Sequence, residues 1–97
     1  MANVQLSCDA AADLQNIADY TIQTFGVKQA RRYRDGLRST FVAIAENPDI
    51  GIDGAWLRRG VRRQFYQSHV IFYEATAEGI LILRILHKSE DAPQHLG

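Results

Sequence analysis

The sequence predicts an α+β fold, a two-layer sandwich with the element order β-α-α-β-β-β. Two observations carry this prediction. Residues 9–47 contain two consecutive segments whose apolar side chains recur at steps of three and four, as in amphipathic helices. Residues 60–87 contain three short runs rich in β-branched and aromatic side chains, separated by polar segments of turn length. We therefore expect a helical hairpin packed on a small, mainly antiparallel sheet, in a single domain over residues 1–97.

The N-terminal part of the chain predicts a strand and then a helix. Residues 4–7 read as a short strand. Asp9 is expected to be the N-cap of the first helix, with Asp13 as a second carboxylate near the positive end of the helix dipole. Gly26 is expected to end this helix. Its apolar stripe comprises Ala10, Leu14, Ile17, Ala18, Thr21 and Phe25.

A second helix follows at once and ends before Pro48. Because the connection at Gly26 is so short, we expect the two helices to form an antiparallel hairpin. Gly36 is expected to allow a close approach to the first helix. The apolar stripe of the second helix comprises Ala30, Tyr33, Leu37, Phe41 and Ile44, and its basic flank comprises Arg31, Arg34 and Arg38.

Residues 48–59 are predicted to be a loop from which Trp56 and Leu57 return to the core. The second and third strands of the meander that follows are nearly all apolar. Such strands need cover on both faces, and the helical hairpin covers only one. The other face meets water or a partner, and we expect a second polypeptide to complete its cover.

Composition and charge limit the class of protein. Of all residues, 46% are hydrophobic and 23% charged, as in globular proteins. No apolar run approaches the roughly 20 residues of a membrane-spanning helix, and the first residues lack a signal-peptide pattern. The single cysteine, Cys8, excludes an internal disulfide. We expect a cytoplasmic protein without a membrane partner.

The formal net charge of zero hides a basic central segment. Residues 28–63 contain nine basic and four acidic side chains, and most of the basic ones are arginines. The planar guanidinium suits carboxylates and phosphates better than the lysine ammonium does. We expect a cationic surface that faces an acidic partner or a nucleic acid.

A nuclease is one interpretation of the polar residues on the strands. Cleavage of RNA through its 2′-hydroxyl needs a general base, a general acid and a cation for the developing phosphorane charge. The candidates are Arg62 or Arg63, Arg84 and His87. The structural alternative is an Arg84 that is paired within the fold or exposed at an edge, and an ordinary His87. We favour this alternative, because single polar residues on strands are seldom catalytic.

A nucleic-acid reader and a protein-binding module are the other interpretations. The sequence contains no helix-turn-helix or zinc-finger pattern, so direct sequence-specific DNA binding is not expected. The three histidines and the cysteine lack metal-ligand spacing, and no phosphate or dinucleotide loop is present, so no metal or cofactor is expected. A groove beside the helical hairpin with an arginine rim suits a wrapping, acidic partner segment.

Five stretches of the chain, together with Asp91 and His95-Leu96 in the tail, resemble the ParE toxins, which belong to the RelE/ParE superfamily of type II toxin–antitoxin systems. The resemblance implies the same sandwich and a ParD-like antitoxin whose acidic and apolar C-terminal segment wraps the toxin in a hetero-oligomer. It also implies DNA gyrase as the target, whereas the relatives of RelE cleave messenger RNA on the ribosome. The stretches are residues 25–30, 47–51, 60–63, 69–73 and 84–87.

The resemblance also separates these two activities. A RelE-type set needs more than Arg62 or Arg63 with His87, yet no lysine lies between Lys28 and Lys88 and no tyrosine follows Tyr73. We therefore favour a gyrase poison without chemistry of its own, with a ribosome-dependent mRNA endonuclease as the alternative. The residues expected to bind the antitoxin are Arg31, Arg34, Arg38, Arg62 and Arg63, and those expected to bind the target are His87, Asp91 and His95.

Overall fold

The computed structural model describes residues 2–53 and 59–90. The elements are β1 (Asn3–Leu6), α1 (Cys8–Phe25), α2 (Val27–Glu46), a 3₁₀ turn (Pro48–Ile50), β2 (Ile52–Asp53), β3 (Val61–Tyr66), β4 (His69–Ala75) and β5 (Gly79–His87). Strand β1 pairs in parallel with β5, and β5, β4, β3 and β2 pair antiparallel, giving the sheet order β1-β5-β4-β3-β2. The predicted α+β sandwich is confirmed. Strand β2 was not predicted, because a strand of two residues is too short to show an alternation of apolar and polar side chains.

The helix termini follow local chemistry. Ser7, and not Asp9 as predicted, is the N-cap of α1, because its hydroxyl accepts a hydrogen bond of 3.0 Å from the N–H of Ala10. Asp9 lies in the first turn, where its charge still suits the helix dipole. Gly26 ends α1 and precedes α2 at a φ of 92°, which favours glycine, so the predicted tight hairpin is confirmed.

On the helical side, the core between the helices and the sheet is built mainly from α2. Its predicted stripe is confirmed, since Leu37, Phe41 and Ile44 are at most 4% exposed and Tyr33 packs at the margin. The stripe of α1 is buried less completely, and the prediction that Phe25 belongs to it is wrong, because this side chain is 65% exposed at the end of the helix. The sheet contributes Ile71, Tyr73, Ile80, Ile82 and Ile85 to this core.

Gly36 permits a close approach, although not to the first helix as predicted. A Cβ built on Gly36 would collide with the hydroxyl end of Tyr66, a side chain of β3. The ring of Tyr66 in turn packs edge-on against Tyr33, with 5.1 Å between the centroids. The glycine therefore makes room on α2 for an aromatic side chain from the sheet.

The sheet face opposite the helices is already buried by the chain itself. Val61, Val70, Phe72, Leu83 and Leu86 form a second apolar cluster in which no member is more than 9% exposed. The prediction that a second polypeptide must cover this face is therefore wrong. The predicted return of Trp56 and Leu57 to the core lies outside the described residues.

A bulge in β5 shifts its register at the centre of the strand. Phe72 is opposite Arg84 and Tyr73 is opposite Ile82, so Leu83 is an extra residue on β5. Strand β1 ends opposite Ile82, which leaves the second half of β5 without a neighbouring strand on that side.

Helix α1 takes the place of the missing strand along the second half of β5. The N–H of Ser7 donates to the carbonyl of Ile82 at 2.9 Å, and the Ser7 hydroxyl donates to the carbonyl of Leu83 at 2.8 Å. The N–H of Ile85 donates to the carboxylate of Asp13 at 2.9 Å. The edge is thus satisfied by the main chain and the hydroxyl of Ser7 and by the carboxylate of Asp13. Within residues 2–53 and 59–90, no helix has the length and apolar character needed to cross a membrane.

Candidate functional site

A groove runs between α1 and α2 beside the end of β1, and we call it the hairpin groove. It encloses about 360 Å³. Its floor is apolar because Leu14, Ile17 and Ala30 meet there, and its rim carries Arg34 and Arg38. These two arginines are one helical turn apart on α2, so both guanidinium groups lie on the same side of the groove.

The structure divides the five predicted antitoxin-binding arginines between two regions. Arg34 and Arg38 line the hairpin groove, while Arg31 is exposed on the same helix but outside the lining. Arg34 also lies 3.5 Å from Asp35 in a surface ion pair. The remaining two, Arg62 and Arg63, are on β3.

Arg62 and Arg63 project from opposite faces of the sheet, as neighbours on a strand do. Arg62 donates to the carbonyl of Gly51 at 2.8 Å and lies 3.8 Å from the carboxylate of Asp49. The guanidinium of Arg63 lies 5.7 Å from the ring centroid of Phe65, which is a cation–π contact. Neither arginine lines the hairpin groove.

A second concavity, which we call the aromatic cleft, lies between the C-terminal half of α1, the start of α2 and the adjoining ends of β4 and β5. It encloses about 660 Å³. The Tyr33 hydroxyl lies 2.6 Å from Nδ1 of His69, and the ring of His69 meets that of His87 at a centroid distance of 5.6 Å. The cleft thus brings together two imidazoles and a phenol from three different elements.

Burial sets the protonation of the Tyr33–His69 pair. It lowers the pKa of His69 from 6.5, and the nearby His87 lowers it further. Burial also raises the pKa of Tyr33 above 10.0. Both shifts favour the neutral forms, so the hydrogen bond in the cleft joins a neutral imidazole and a neutral phenol at neutral pH.

Arg84 lines the same cleft, but its charge is balanced within the fold. Its Nε and Nη2 atoms donate to the two carboxylate oxygens of Asp13 at 2.7 and 2.8 Å. This bidentate contact raises the pKa of Arg84 above its ordinary value.

The structure brings together only part of the predicted nuclease set. Arg84 and His87 line the aromatic cleft, whereas Arg62 and Arg63 do not. His87 is exposed at the end of β5, where its Nδ1 lies 2.8 Å from the Ser89 hydroxyl.

Two cleft residues, Tyr33 and His69, were not predicted from the sequence to be site residues. They come from α2 and β4, so no spacing along the chain connects them. The predicted meander was the signal that could have brought His69 and His87 together. A hairpin of β4 and β5 pairs the first residue of β4 with the last residue of β5, and these residues are His69 and His87. The predicted target-binding residues Asp91 and His95 lie outside the described residues.

Comparison with known proteins gives the family. The model of the ParE toxin of the type II toxin–antitoxin system parDE matches residues 4–92. The chain belongs to the ParE toxin family. It is 42% identical to Toxin ParE1 of Caulobacter vibrioides over 97 residues, which is the whole of both chains. It is 37% identical to Toxin ParE1 of Mycobacterium tuberculosis over 92 residues, or 94% of each chain.

A solved structure shares the fold of this ParE-family chain. The structure described as "Chromosomal ParDE TA system from P. aeruginosa" matches with a TM-score of 0.76 and 21% identity, over 90% of this chain and 96% of the other. The resemblance to the ParE toxins is therefore confirmed in both sequence family and fold.

Among residues 2–53 and 59–90, no group of three or more histidine, cysteine or acidic side chains is arranged to hold a metal ion.

Proposed function

We propose that this chain is the toxin of a type II toxin–antitoxin pair, that a ParD-like antitoxin neutralises it, and that it acts in the cytoplasm by binding and poisoning DNA gyrase. Family membership supports the first statement. The hairpin groove is the observation that carries the second, because it is an open apolar channel with two arginines on its rim.

The chemistry of the hairpin groove defines the antitoxin segment that fits it. Leu14 and Ile17 are half-buried at its floor and have space for further apolar side chains. Arg34 and Arg38 on the rim attract carboxylates. The segment that we propose is therefore amphipathic and acidic, with Arg31, Arg62 and Arg63 as contacts further along its path.

The distribution of exposed apolar side chains supports the same location. The sheet face opposite the helices is covered, whereas Leu6, which lines the hairpin groove, is 39% exposed, and Val42, which lies near Leu6 and Arg38, is 52% exposed. Apolar surface of this kind is typical of a protein-binding face. A partner therefore gains more buried apolar area at the helical hairpin than on the other side of the sheet.

A supercoiling assay tests the proposed activity. We expect the purified chain to inhibit gyrase and to trap a cleavage complex, and we expect the antitoxin encoded in the neighbouring reading frame to reverse both effects. The same assay with His87→Ala tests the proposed contact of this exposed residue with the target. Lack of inhibition at micromolar toxin, with a folded protein by circular dichroism, would contradict gyrase poisoning.

A ribosome-dependent mRNA endonuclease is the second candidate, and the aromatic cleft favours it. A neutral His69 suits proton abstraction, and His87 and Arg84 line the same cleft. Two placements weigh against it, since the charge of Arg84 is balanced by Asp13 and neither Arg62 nor Arg63 lines the cleft. Toeprinting on translating ribosomes separates the two candidates. An endonuclease gives cuts within codons that His87→Ala abolishes and the neighbouring Lys88→Ala retains.

A further inference from the structure

The aromatic cleft and the hairpin groove lie on opposite flanks of α1. Asp13, Asn16 and Tyr20 follow one another at steps of three and four, so they share the flank that faces the aromatic cleft. Leu14 and Ala18 are four residues apart and face the hairpin groove. A protein that occupies the aromatic cleft therefore contacts a different flank of α1 from an antitoxin segment in the hairpin groove.

Exposed aromatic side chains line the aromatic cleft. Tyr20 is 57% exposed and Phe25 is 65% exposed, and both belong to its lining. Exposed aromatic side chains beside a concavity are typical of the residues that carry binding energy in protein interfaces. The faces of their rings also attract cations. The cleft therefore suits a protein partner that presents a cationic side chain.

The net charge of the aromatic cleft is opposite in sign to that of the hairpin groove. Among the described residues, the cleft is lined by the carboxylates of Asp13 and Glu90 and by one guanidinium, that of Arg84. Asp13 and Arg84 balance each other through their two hydrogen bonds, so the excess charge is that of Glu90. A negative lining repels phosphates and carboxylates. It therefore disfavours both a nucleic acid and an acidic antitoxin segment.

The carboxylate of Glu90 is positioned by the turn that follows β5. Its Oε1 accepts the N–H of His87 at 2.8 Å, and the N–H of Glu90 donates to the carbonyl of His87 at 2.9 Å. A carboxylate has two oxygens with about four acceptor positions, so it can also accept the parallel hydrogen bonds of a guanidinium. Arginine combines this planar pairing with stacking on aromatic rings, which makes it a better fit than lysine.

We propose that the aromatic cleft is the surface that binds the protein target, and that an arginine side chain of the target enters it. The guanidinium pairs with Glu90, and Tyr20 and Phe25 contact the rest of the side chain. His87, which the resemblance implied as a target-binding residue, lines the same cleft. This inference rests on the proposed binding of gyrase, and adds the surface and the chemistry of that contact.

Substitutions at Glu90, with the affinity for purified gyrase measured by surface plasmon resonance, test the charge. We expect Glu90→Lys to weaken binding at least about tenfold, because an attraction becomes a repulsion. Glu90→Gln keeps an acceptor for the His87 N–H and loses only the charge, so its effect should be smaller. Glu78→Lys is the matched control at an exposed residue before β5, and should weaken binding less than about twofold. Equal effects of Glu90→Lys and Glu78→Lys would overturn the arginine contact.

Substitutions at Phe25 test the aromatic part of the contact in the same assay. We expect Phe25→Leu to weaken binding about threefold or more, because leucine is apolar but has no ring face for the guanidinium. Phe25→Trp should bind at least as tightly as the parent, since tryptophan is the best ring for a cation. Phe65→Leu, at an exposed phenylalanine on β3, is the control. Because neither Phe25 nor Glu90 lines the hairpin groove, their variants should retain the affinity for the antitoxin.

The outcomes separate this inference from the proposed function. Gyrase binding that is unchanged in both Glu90→Lys and Phe25→Leu would overturn this inference alone. Failure of the unmodified chain to bind gyrase would overturn the proposed target and this inference together.

An NMR titration of the free chain with acetyl-arginine amide tests the chemistry of the occupant directly. We expect this probe to shift the ring resonances of Tyr20 and Phe25 more than acetyl-glutamate amide does. Larger shifts with adenosine monophosphate than with the arginine probe would overturn the inference in favour of a nucleotide.

Discussion

The guanidinium of Arg84 on β5 is hydrogen-bonded to the carboxylate of Asp13 on α1 through two contacts of 2.7 and 2.8 Å. The same carboxylate accepts the N–H of Ile85 at 2.9 Å. Asp13 therefore connects helix to sheet and also satisfies a main-chain donor beyond the end of β1. Because the two side chains are only 18% and 10% exposed, the loss of either partner leaves a poorly hydrated charge.

We expect Asp13→Ala to lower the free energy of unfolding by about 2–4 kcal/mol, because it removes the carboxylate that Arg84 and the Ile85 N–H share. Urea denaturation at neutral pH measures the change. The control is Asp35→Ala, which breaks the surface pair with Arg34, whose side chains are 67% and 45% exposed. This control should change stability by less than about 0.5 kcal/mol. Equal effects of the two substitutions would show that the Arg84–Asp13 pair adds nothing beyond a surface contact.

Tyr73 fixes the segment that joins α2 to the sheet. Its hydroxyl donates to the carbonyl of Pro48 at 2.7 Å and accepts from the N–H of Gly51 at 3.0 Å. We expect Tyr73→Phe to destabilise the chain by about 1–3 kcal/mol, because the buried Gly51 N–H loses its acceptor. Thermal unfolding measures the effect, with Tyr20→Phe as the control at a tyrosine 57% exposed. A stability unchanged from the parent would mean that water replaces the hydroxyl.

Local patterns predicted the helices and the meander because each is encoded within a few residues. The spacing of Leu37, Phe41 and Ile44 defines one face of α2, and Gly26 provides the backbone freedom for the turn. The choice of Ser7 over Asp9 as the cap depended on tertiary contacts, since the Ser7 hydroxyl also bonds to the Leu83 carbonyl. The two-residue strand β2 exists because β3 lies beside it, and its own sequence carries no strand pattern.

The candidate site was predicted only in part, for a related reason. Arg34 and Arg38 lie on one helix, so their common side followed from helical spacing. The aromatic cleft depends on the meeting of α2 with β4 and β5, which no local pattern reveals. The expectation of a partner on the apolar sheet face was wrong because the number of apolar residues in a strand does not show whether the rest of the chain covers them.

The pH dependence of stability should carry the signature of His69. Burial lowers its pKa from 6.5 in the folded chain, so the unfolded chain binds the proton more tightly. The neutral His69 therefore contributes fully to the stability of the fold above about pH 6.5. This contribution to stability is lost as the pH falls toward the lowered pKa. We expect the melting temperature to fall between about pH 7.5 and about pH 5.5, and to fall less in His69→Gln.

His87→Gln is the control for this pH effect. It should retain most of the fall, because burial affects His69 more than the charge of His87 does. A fall that is the same in His69→Gln as in the parent would assign the pH dependence to other groups.

Gly36→Ala should destabilise the chain although alanine is the better helix former by about 1 kcal/mol. The added methyl group occupies the position of the Tyr66 hydroxyl and forces the ring away from Tyr33. Combination with Tyr66→Ala removes the collision, so the effect of the glycine substitution should become neutral or stabilising in that background. A double-mutant cycle by urea denaturation measures this coupling, and additive effects would contradict it.

Charge reversal on the rim of the hairpin groove tests the electrostatic part of antitoxin binding. We expect Arg34→Glu combined with Arg38→Glu to weaken the complex at least about tenfold, since two attractive contacts become repulsive. The matched control is Lys28→Glu with Arg32→Glu, which changes the net charge equally on the same helix at two positions outside the groove. Isothermal titration at two salt concentrations separates contact from distant attraction, because salt screens exposed charges more strongly as their separation grows. If both double variants weaken the complex equally and added salt removes the effect, only the overall field of α2 contributes, and the groove rim has no specific role.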